Sequence, residues 1–179
     1  MSYRAGIIGT GGIAGMGILG MHDEEAIGTE KIDASHAGGY HSTDDIELVA
    51  VADIDEENLE RFGDAWDIPT DCQYVGHEEM LDAEDLDVVS VCTPSYLHHQ
   101  HVVDAARSEA APDVVWCEKP IASAVTDAEE MIDVCAETDT ELVVNHSFRF
   151  TDKLRTLRDR LQDEDLLGDI HSVSAQFRR

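Results

Sequence analysis

Five short runs of Val, Ile, Leu and Ala residues constrain the fold of this chain more than any other feature. The runs are almost continuously apolar, as strands must be when both faces of a parallel sheet are covered. Amphipathic helical patterns separate them, so strand and helix alternate along the chain. The sequence therefore predicts an α/β fold with a doubly wound parallel sheet, and its strands are expected at 5–9, 46–53, 87–94, 113–120 and 141–145.

Three of the intervening segments carry helix signals. An N-cap residue, an apolar face or a capping box marks each of them. The signals are Asp55 before Leu59, Phe62 and Trp66; the face of Leu97, Val102, Val103 and Ala106; and Thr126 with Glu129 before Met131, Ile132 and Cys135.

The last 30 residues carry a different pattern. A helix is predicted from about Asp152, and the segment IHSVSAQF that follows it alternates apolar and polar residues. Such alternation is typical of a strand in an antiparallel sheet, and one strand alone leaves an edge and an apolar face uncovered. We therefore predict a first domain over 1–148 and, over 149–179, the beginning of a truncated α+β domain. A missing C-terminal domain or homo-oligomerisation would cover the strand.

The charge of the chain limits its partners. Among 179 residues, 39 Asp and Glu against 12 Lys and Arg give a formal charge of −27. Acids distributed over the whole chain are typical of salt-adapted proteins, because high ionic strength screens their repulsion. The same charge argues against a nucleic-acid or anionic-membrane partner, since binding phosphates requires a basic surface.

The cysteines indicate a reducing compartment. Cys72, Cys92, Cys117 and Cys135 lack CxxC spacing, which favours buried thiols over a disulfide or zinc framework. Neither a signal peptide nor an apolar run of transmembrane length is present. The sequence therefore predicts a soluble, cytoplasmic protein.

The segment GIIGTGGIAG follows the first predicted strand and has the pattern of a dinucleotide-binding turn of the Rossmann type. In this pattern Gly9 permits a tight turn, Gly11 lets a pyrophosphate approach the backbone, and Ala14 allows close packing of helix on strand. The pyrophosphate would lie at the N-terminus of the helix that follows.

The acidic residue that accompanies such a turn lies farther along the chain than expected. A ribose-binding Asp is expected about 20 residues after the glycines, but Asp53 ends its strand 44 positions after Gly9. We attribute the extra length to a surface insertion over about 17–40. No arginine follows Asp53 to bind a 2′-phosphate, so NAD is favoured over NADP.

Two further motifs lie where strands of the predicted sheet end, which is the edge at which such sheets bind ligands. They are VCTPSYLHH, with Thr93, Pro94 and Ser95, and WCEKPIA, with Glu118 and Lys119. Together with GTGGIA and VAVAD they closely resemble the glucose-fructose oxidoreductase/inositol dehydrogenase (Gfo/Idh/MocA) family. The resemblance covers nearly the whole chain apart from the insertion.

The resemblance implies a set of NAD-binding residues, with His98 facing the cofactor and His99 and His101 in surface or packing roles. No metal site is expected from these histidines, because they lack the i,i+4 spacing of a helical zinc motif. The implied cofactor-binding residues are Gly9, Thr10, Gly11, Gly12, Ile13, Ala14, Asp53, Ile54, Thr93, Pro94, Ser95, His98, Glu118, Lys119 and Asn145.

The activity that the resemblance implies is hydride transfer between NAD and a carbinol of a small sugar or polyol. Lys119 is the candidate catalytic residue, because an ammonium beside a substrate oxygen stabilises developing negative charge or shares a proton. The family's proton-transferring Asp and His fall beyond residue 179, so this chain is expected to be catalytically incomplete. The alternatives are a non-catalytic NAD-binding module or partner subunit, and a methyltransferase binding S-adenosylmethionine, against which the E-K-P motif argues.

Overall fold

The computed structural model of the chain describes residues 2–16, 35–109 and 111–163, together with 171, 172, 174 and 176. The chain divides into two compact units, Met1–Asn145 and His146–Arg179. The division falls three residues before the predicted domain boundary.

The first unit contains a six-stranded, wholly parallel sheet in the order β3-β2-β1-β4-β5-β6. The order reverses between β1 and β4, as in doubly wound Rossmann sheets, so the predicted fold class and all five predicted strands are confirmed. β3 was not predicted, because two residues are too few to show a period. The strands are β1 Tyr3–Ile8, β2 Ile46–Ala52, β3 Gln73–Tyr74, β4 Val88–Val91, β5 Val114–Glu118 and β6 Glu141–Asn145.

Helices cover both faces of this sheet. Those of the first unit are α1 His36–His41, α2 Glu56–Trp66, α3 His77–Ala83, α4 His98–Arg107 and α5 Val125–Glu137, and a π-helical turn over Gly12–Met16 follows β1. One core cluster joins α1, α2 and the π-helical turn to the sheet. The other joins α3, α4 and α5 to the opposite face.

The predicted helix starts have different outcomes. Asp55 caps α2 as expected, because its side chain accepts hydrogen bonds from the N–H groups of Glu57 and Asn58 at 3.1 and 3.2 Å. The capping box at Thr126 is wrong. α5 begins at Val125, so Thr126 already lies in the first turn and no side chain caps the helix.

The predicted insertion over 17–40 requires a correction at its C-terminal end. Residues 17–34 lie outside the described part of the chain, but 36–41 form α1. His36, Ala37 and Tyr40 are buried. This end of the segment is therefore core and not surface, because the chain between β1 and β2 supplies a helix that covers one face of the sheet.

The second unit contains a 3₁₀ turn over Ser147–Phe150 and α6 over Asp152–Asp163, which confirms the helix predicted from Asp152. Leu154 and Leu157 of α6 are exposed. Half of the residues in the strand predicted for IHSVSAQF, including Val173, Ala175 and Phe177, lie outside the described residues. Its assignment to a substrate domain stays a prediction.

All four cysteines are free, as predicted, and Cys92, Cys117 and Cys135 are buried, whereas Cys72 is half-buried. Burial, assisted by the nearby Glu118 carboxylate, raises the pKa of Cys117 to about 12, so this thiol stays protonated. Within the described ranges, every helix is too short or too polar to cross a membrane.

Candidate functional site

A cleft of about 490 Å³ opens at the carboxyl ends of β1, β2 and β4. This is the position at which the strand order reverses and at which open α/β sheets bind their ligands. The lining combines glycine backbone, one carboxylate, two histidines and several apolar side chains. It consists of Ile8, Gly9, Gly11, Ala52, Asp53, Ile54, Val75, His77, Cys92, Thr93, Pro94, Tyr96, Leu97, Gln100 and His101.

The glycine turn supplies the floor of the cleft. Gly9 has φ +91°, and a Cβ there would lie 2.7 Å from the Thr93 Cγ2 atom, so only glycine fits. A Cβ on Gly11 would meet nothing within 4 Å. Ala14 is fully buried, and Gly12 and Ile13 begin the π-helical turn. Gly11 therefore leaves space in the cleft where a side chain would otherwise project.

Asp53 holds the glycine turn to the end of β2. Its Oδ2 atom accepts from the Thr10 N–H at 2.7 Å and from the Thr10 hydroxyl at 2.8 Å, and its Oδ1 accepts from the Asp55 N–H at 2.9 Å. Both donors of Thr10 are thus used within the protein, and Thr10 is buried. A carboxylate has about four acceptor positions, so Asp53 retains capacity for about one further donor from the cleft.

Apolar side chains form the rim of the cleft near Asp53. Ile54 is 86% exposed, Val75 is 47% exposed and Tyr96 is 72% exposed. Exposed apolar side chains that line one cleft together are candidates for contact with a ligand or partner. This part of the cleft therefore offers apolar surface to a ligand.

Two histidines on the cleft wall were not assigned to the site by the sequence analysis. His101 is buried, and its Nδ1 lies 2.9 Å from the Thr93 hydroxyl oxygen. Burial and the neighbouring His77 ring lower the pKa of His101 to about 4, so it is neutral near pH 7. His77 in turn pairs with Asp104 at 2.9 Å. No local pattern marks these residues, because α3 and α4 meet only in the folded chain.

His98 is not among the described residues that line the cleft at Gly9, and its predicted place beside the cofactor stays a prediction. It is only 1% exposed, and its Nδ1 and Nε2 atoms each lie 2.8 Å from a backbone carbonyl oxygen, those of Pro120 and Thr93. His98 therefore ties the loop after β5 to the loop after β4. The half-buried Ser95 contributes to the same loop, since its carbonyl oxygen accepts from the His98 N–H at 3.4 Å.

Glu118, Lys119 and Asn145 lie where β5 and β6 end. The Glu118 Oε1 atom accepts from Asn145 Nδ2 at 2.5 Å and lies 3.1 Å from His36 Nε2, while Oε2 accepts from the Lys119 N–H at 3.2 Å. Burial alone would raise the pKa of Glu118, but the hydrogen bonds from His36 and Asn145 outweigh it and lower that pKa. The Lys119 residue is exposed, and among the described residues the lining of the cleft at Gly9 includes none of these three.

Comparisons with known proteins agree with this geometry. A family model described as "Oxidoreductase family, NAD-binding Rossmann fold" matches residues 3–146. D-glucoside 3-dehydrogenase of Escherichia coli is 33% identical over 153 residues, which are 82% of this chain and 40% of that protein. Myo-inositol 2-dehydrogenase of Thermotoga maritima is 25% identical over 76% of this chain and 40% of its own length. This chain thus spans less than half of the length of these relatives.

Solved structures show the same fold. An oxidoreductase from Agrobacterium radiobacter, in complex with NAD⁺, L-tartaric acid and magnesium, superposes with a TM-score of 0.74 at 21% identity, covering 94% of this chain and 42% of that one. The WlbA dehydrogenase from Bordetella pertussis, in complex with NADH and UDP-GlcNAcA, also gives 0.74, at 22% identity over 94% of this chain and 44% of that one.

Proposed function

Since the chain belongs to the Gfo/Idh/MocA oxidoreductase family through its NAD-binding Rossmann domain, we propose that it binds NAD in the cleft as the cofactor-binding part of a dehydrogenase. The substrate we propose is a small sugar or polyol, which reacts at one of its hydroxyl groups. This chain resembles D-glucoside 3-dehydrogenase and myo-inositol 2-dehydrogenase, whose names give a sugar derivative and a polyol as substrates.

The observation that carries the proposal is the pairing of Gly9 and Gly11 at the point where the strand order reverses. Gly9 turns the chain with a positive φ against Thr93, and Gly11 leaves open space in front of its backbone. A pyrophosphate needs this close approach to backbone N–H groups. The residues present therefore fit a dinucleotide, with Gly11, Gly12 and Ile13 next to its phosphates.

The remaining groups of the cleft fit the adenosine half. Asp53 is fixed by Thr10 and Asp55 and retains acceptor capacity for a ribose hydroxyl. Ile54 and Tyr96 offer exposed apolar surface to the adenine ring. A 2′-phosphate would bring a second anion against the Asp53 carboxylate, and neither Lys nor Arg is present among the described residues that line the cleft. We therefore propose NAD and not NADP as the cofactor.

The chemistry that the bound cofactor supplies is acceptance of a hydride from the substrate carbinol. Lys119 is exposed at the carboxyl end of β5, and we propose that its ammonium stabilises negative charge on the substrate oxygen.

Calorimetric titration with NAD and NADP in molar salt tests the cofactor assignment. We expect NAD to bind at least about tenfold more tightly, which corresponds to about 1.4 kcal/mol. Asp53→Asn should reduce the difference between the affinities for NAD and NADP, because it removes the charge that repels the 2′-phosphate. Asp55→Asn removes the same charge two residues away and retains a good N-cap, so it should leave the difference unchanged. Equal or tighter binding of NADP by the wild-type chain would refute the assignment.

We propose that the chain is salt-adapted and works in a reducing cytoplasm, on the basis of its charge of −27 and its free cysteines. The melting temperature should then fall when potassium chloride is reduced from molar to millimolar, because repulsion between carboxylates is no longer screened. Sucrose serves as the control, since it stabilises by exclusion without screening charge. A melting temperature independent of salt would contradict the proposal.

A further inference from the structure

A chain of buried polar side chains connects α1 to the carboxyl ends of β4, β5 and β6. The Tyr40 hydroxyl lies 2.5 Å from the Ser90 hydroxyl oxygen, which lies 2.7 Å from His36 Nδ1. His36 Nε2 lies 3.1 Å from Glu118 Oε1, which also accepts from Asn145. We call Tyr40, Ser90, His36, Glu118 and Asn145 the His36 network. Four of its members are buried and Asn145 is half-buried.

The Glu118 carboxylate sets the direction of the hydrogen bonds when His36 is neutral, because an ionised carboxylate can only accept. Burial raises the pKa of Tyr40, so its hydroxyl stays protonated and can donate to Ser90. Ser90 then donates to His36 Nδ1, and the Nε2–H of His36 donates to Glu118. A neutral imidazole carries one N–H, and in this direction that N–H reaches the only anion of the network.

Glu118 is the end point of the network. Its carboxylate accepts from His36, Asn145 and the Lys119 N–H, and three donors can keep a buried carboxylate ionised. Through Oε2 the carboxylate also fixes the main chain of Lys119. The position of His36 is therefore transmitted through Glu118 to the residue proposed to act on the substrate.

The network lies on the second half of the sheet. Glu118 and Asn145 are register partners at the ends of β5 and β6, whereas Gly9 and Asp53 follow β1 and β2. A doubly wound sheet binds one mononucleotide on each half. With adenosine at Asp53, the nicotinamide half is expected beside Glu118 and Lys119.

We propose that His36 is a positioning residue for the nicotinamide half of the cofactor, holding the Glu118 carboxylate and the Lys119 main chain in place. This role rests on the proposed function, because it presumes that NAD binds across both halves of the sheet. It does not require His36 to contact the cofactor. We therefore expect a substitution of His36 to weaken binding of the nicotinamide half of the cofactor and not of the adenosine half.

Titration with NAD and with ADP-ribose, which lacks the nicotinamide ring, tests this selectivity. His36→Leu should weaken NAD binding by about fivefold or more, as expected when a hydrogen bond to a charged group is lost, and should leave ADP-ribose within about twofold. His36→Gln retains a donor and should recover part of the loss. The control is His41→Leu, at an exposed position of the same helix. Equal weakening of both ligands by His36→Leu, or of neither, would overturn the proposal.

Carboxyl and imidazole NMR of the same proteins separates this proposal from the proposed function. Wild-type His36 should carry a proton on Nε2, and the pKa of Glu118 should rise by about one pH unit or more in His36→Leu. An Nε2 atom without a proton, or an unchanged Glu118 pKa, would overturn the positioning role even if His36→Leu folds poorly, since the first measurement needs only the wild type. If the wild type binds neither nucleotide, the proposed function and its nicotinamide part both fail, while these titrations still decide whether His36 holds Glu118.

Discussion

The two halves of the sheet edge differ in the groups that form them. On the β1 and β2 half, backbone and one carboxylate form an open cleft around Gly9, Gly11 and Asp53. On the β5 and β6 half, the His36 network fills the interior with hydrogen-bonded side chains, and the Lys119 residue is exposed beside it. The first half is an open cleft, whereas the second holds a charge in a defined position.

This difference teaches where substitutions will have their effects. A change in the glycine turn acts through steric fit, so its effect depends on the space in front of one Cβ atom. A change in the network acts through unsatisfied partners, so its effect depends on how many donors and acceptors lose a bond. The predictions below test this distinction within and between the two halves.

The largest effect is expected for Gly9→Ala. The new Cβ would lie 2.7 Å from Thr93 Cγ2 and 3.0 Å from the Thr93 nitrogen, at φ +91°. Strain and steric overlap together should lower the free energy of unfolding by about 3 kcal/mol or more. Urea unfolding measures it.

Gly11→Ala is the matched substitution, because its Cβ would meet nothing within 4 Å. Its free energy of unfolding should stay within about 1 kcal/mol of the wild type, while NAD affinity falls by about tenfold or more because the methyl group fills the space proposed for the phosphates. A stable Gly9→Ala protein, or a Gly11→Ala protein that binds NAD normally, would remove the steric account of the first half.

An intermediate effect is expected for Ser90→Ala in the second half. The substitution leaves the Tyr40 hydroxyl and His36 Nδ1 without their shared partner, which should cost about 2 kcal/mol of stability. Ser42→Ala removes a hydroxyl that bonds the Gly39 carbonyl at an exposed position and should cost clearly less. Thermal and urea unfolding compare the two, and equal costs would show that the network adds nothing beyond an ordinary surface hydrogen bond.

The smallest effect concerns His101, on the wall of the cleft. Its pKa is lowered to about 4 from 6.5, so between these values the unfolded chain binds a proton that the folded chain does not, and stability falls as the pH falls. Between pH 7 and 5.5 this contribution is about 1 kcal/mol. His101→Asn removes it, so the difference in stability between wild type and variant should shrink towards acid pH. A constant difference across this range would show that His101 titrates normally.

The sequence alone determined the sheet and the glycine turn, because both depend on local patterns. Continuous apolar runs identified β1, β2, β4, β5 and β6, and the spacing of Gly9, Gly11 and Ala14 identified the turn. The N-cap at Asp55 was equally local and was confirmed. β3 and the start of α5 were missed, since two residues show no period and a Thr-x-x-Glu pattern occurs within helices as well as before them.

Only the tertiary structure decided what His36, His98 and His101 do. His36 was expected in a surface insertion, yet it is buried against Glu118. His98 was expected at the cofactor, and its ring contacts the backbone of two loops. His101 was expected outside the site, yet it lines the cleft. Alternation along β5 places Trp116 and Glu118 on one face, but the hydrogen-bond partners of Glu118 at positions 36 and 145 come from other elements. A hydrogen bond between residues so far apart in sequence depends on strand register and helix placement, and those are set by the packing of the whole sheet.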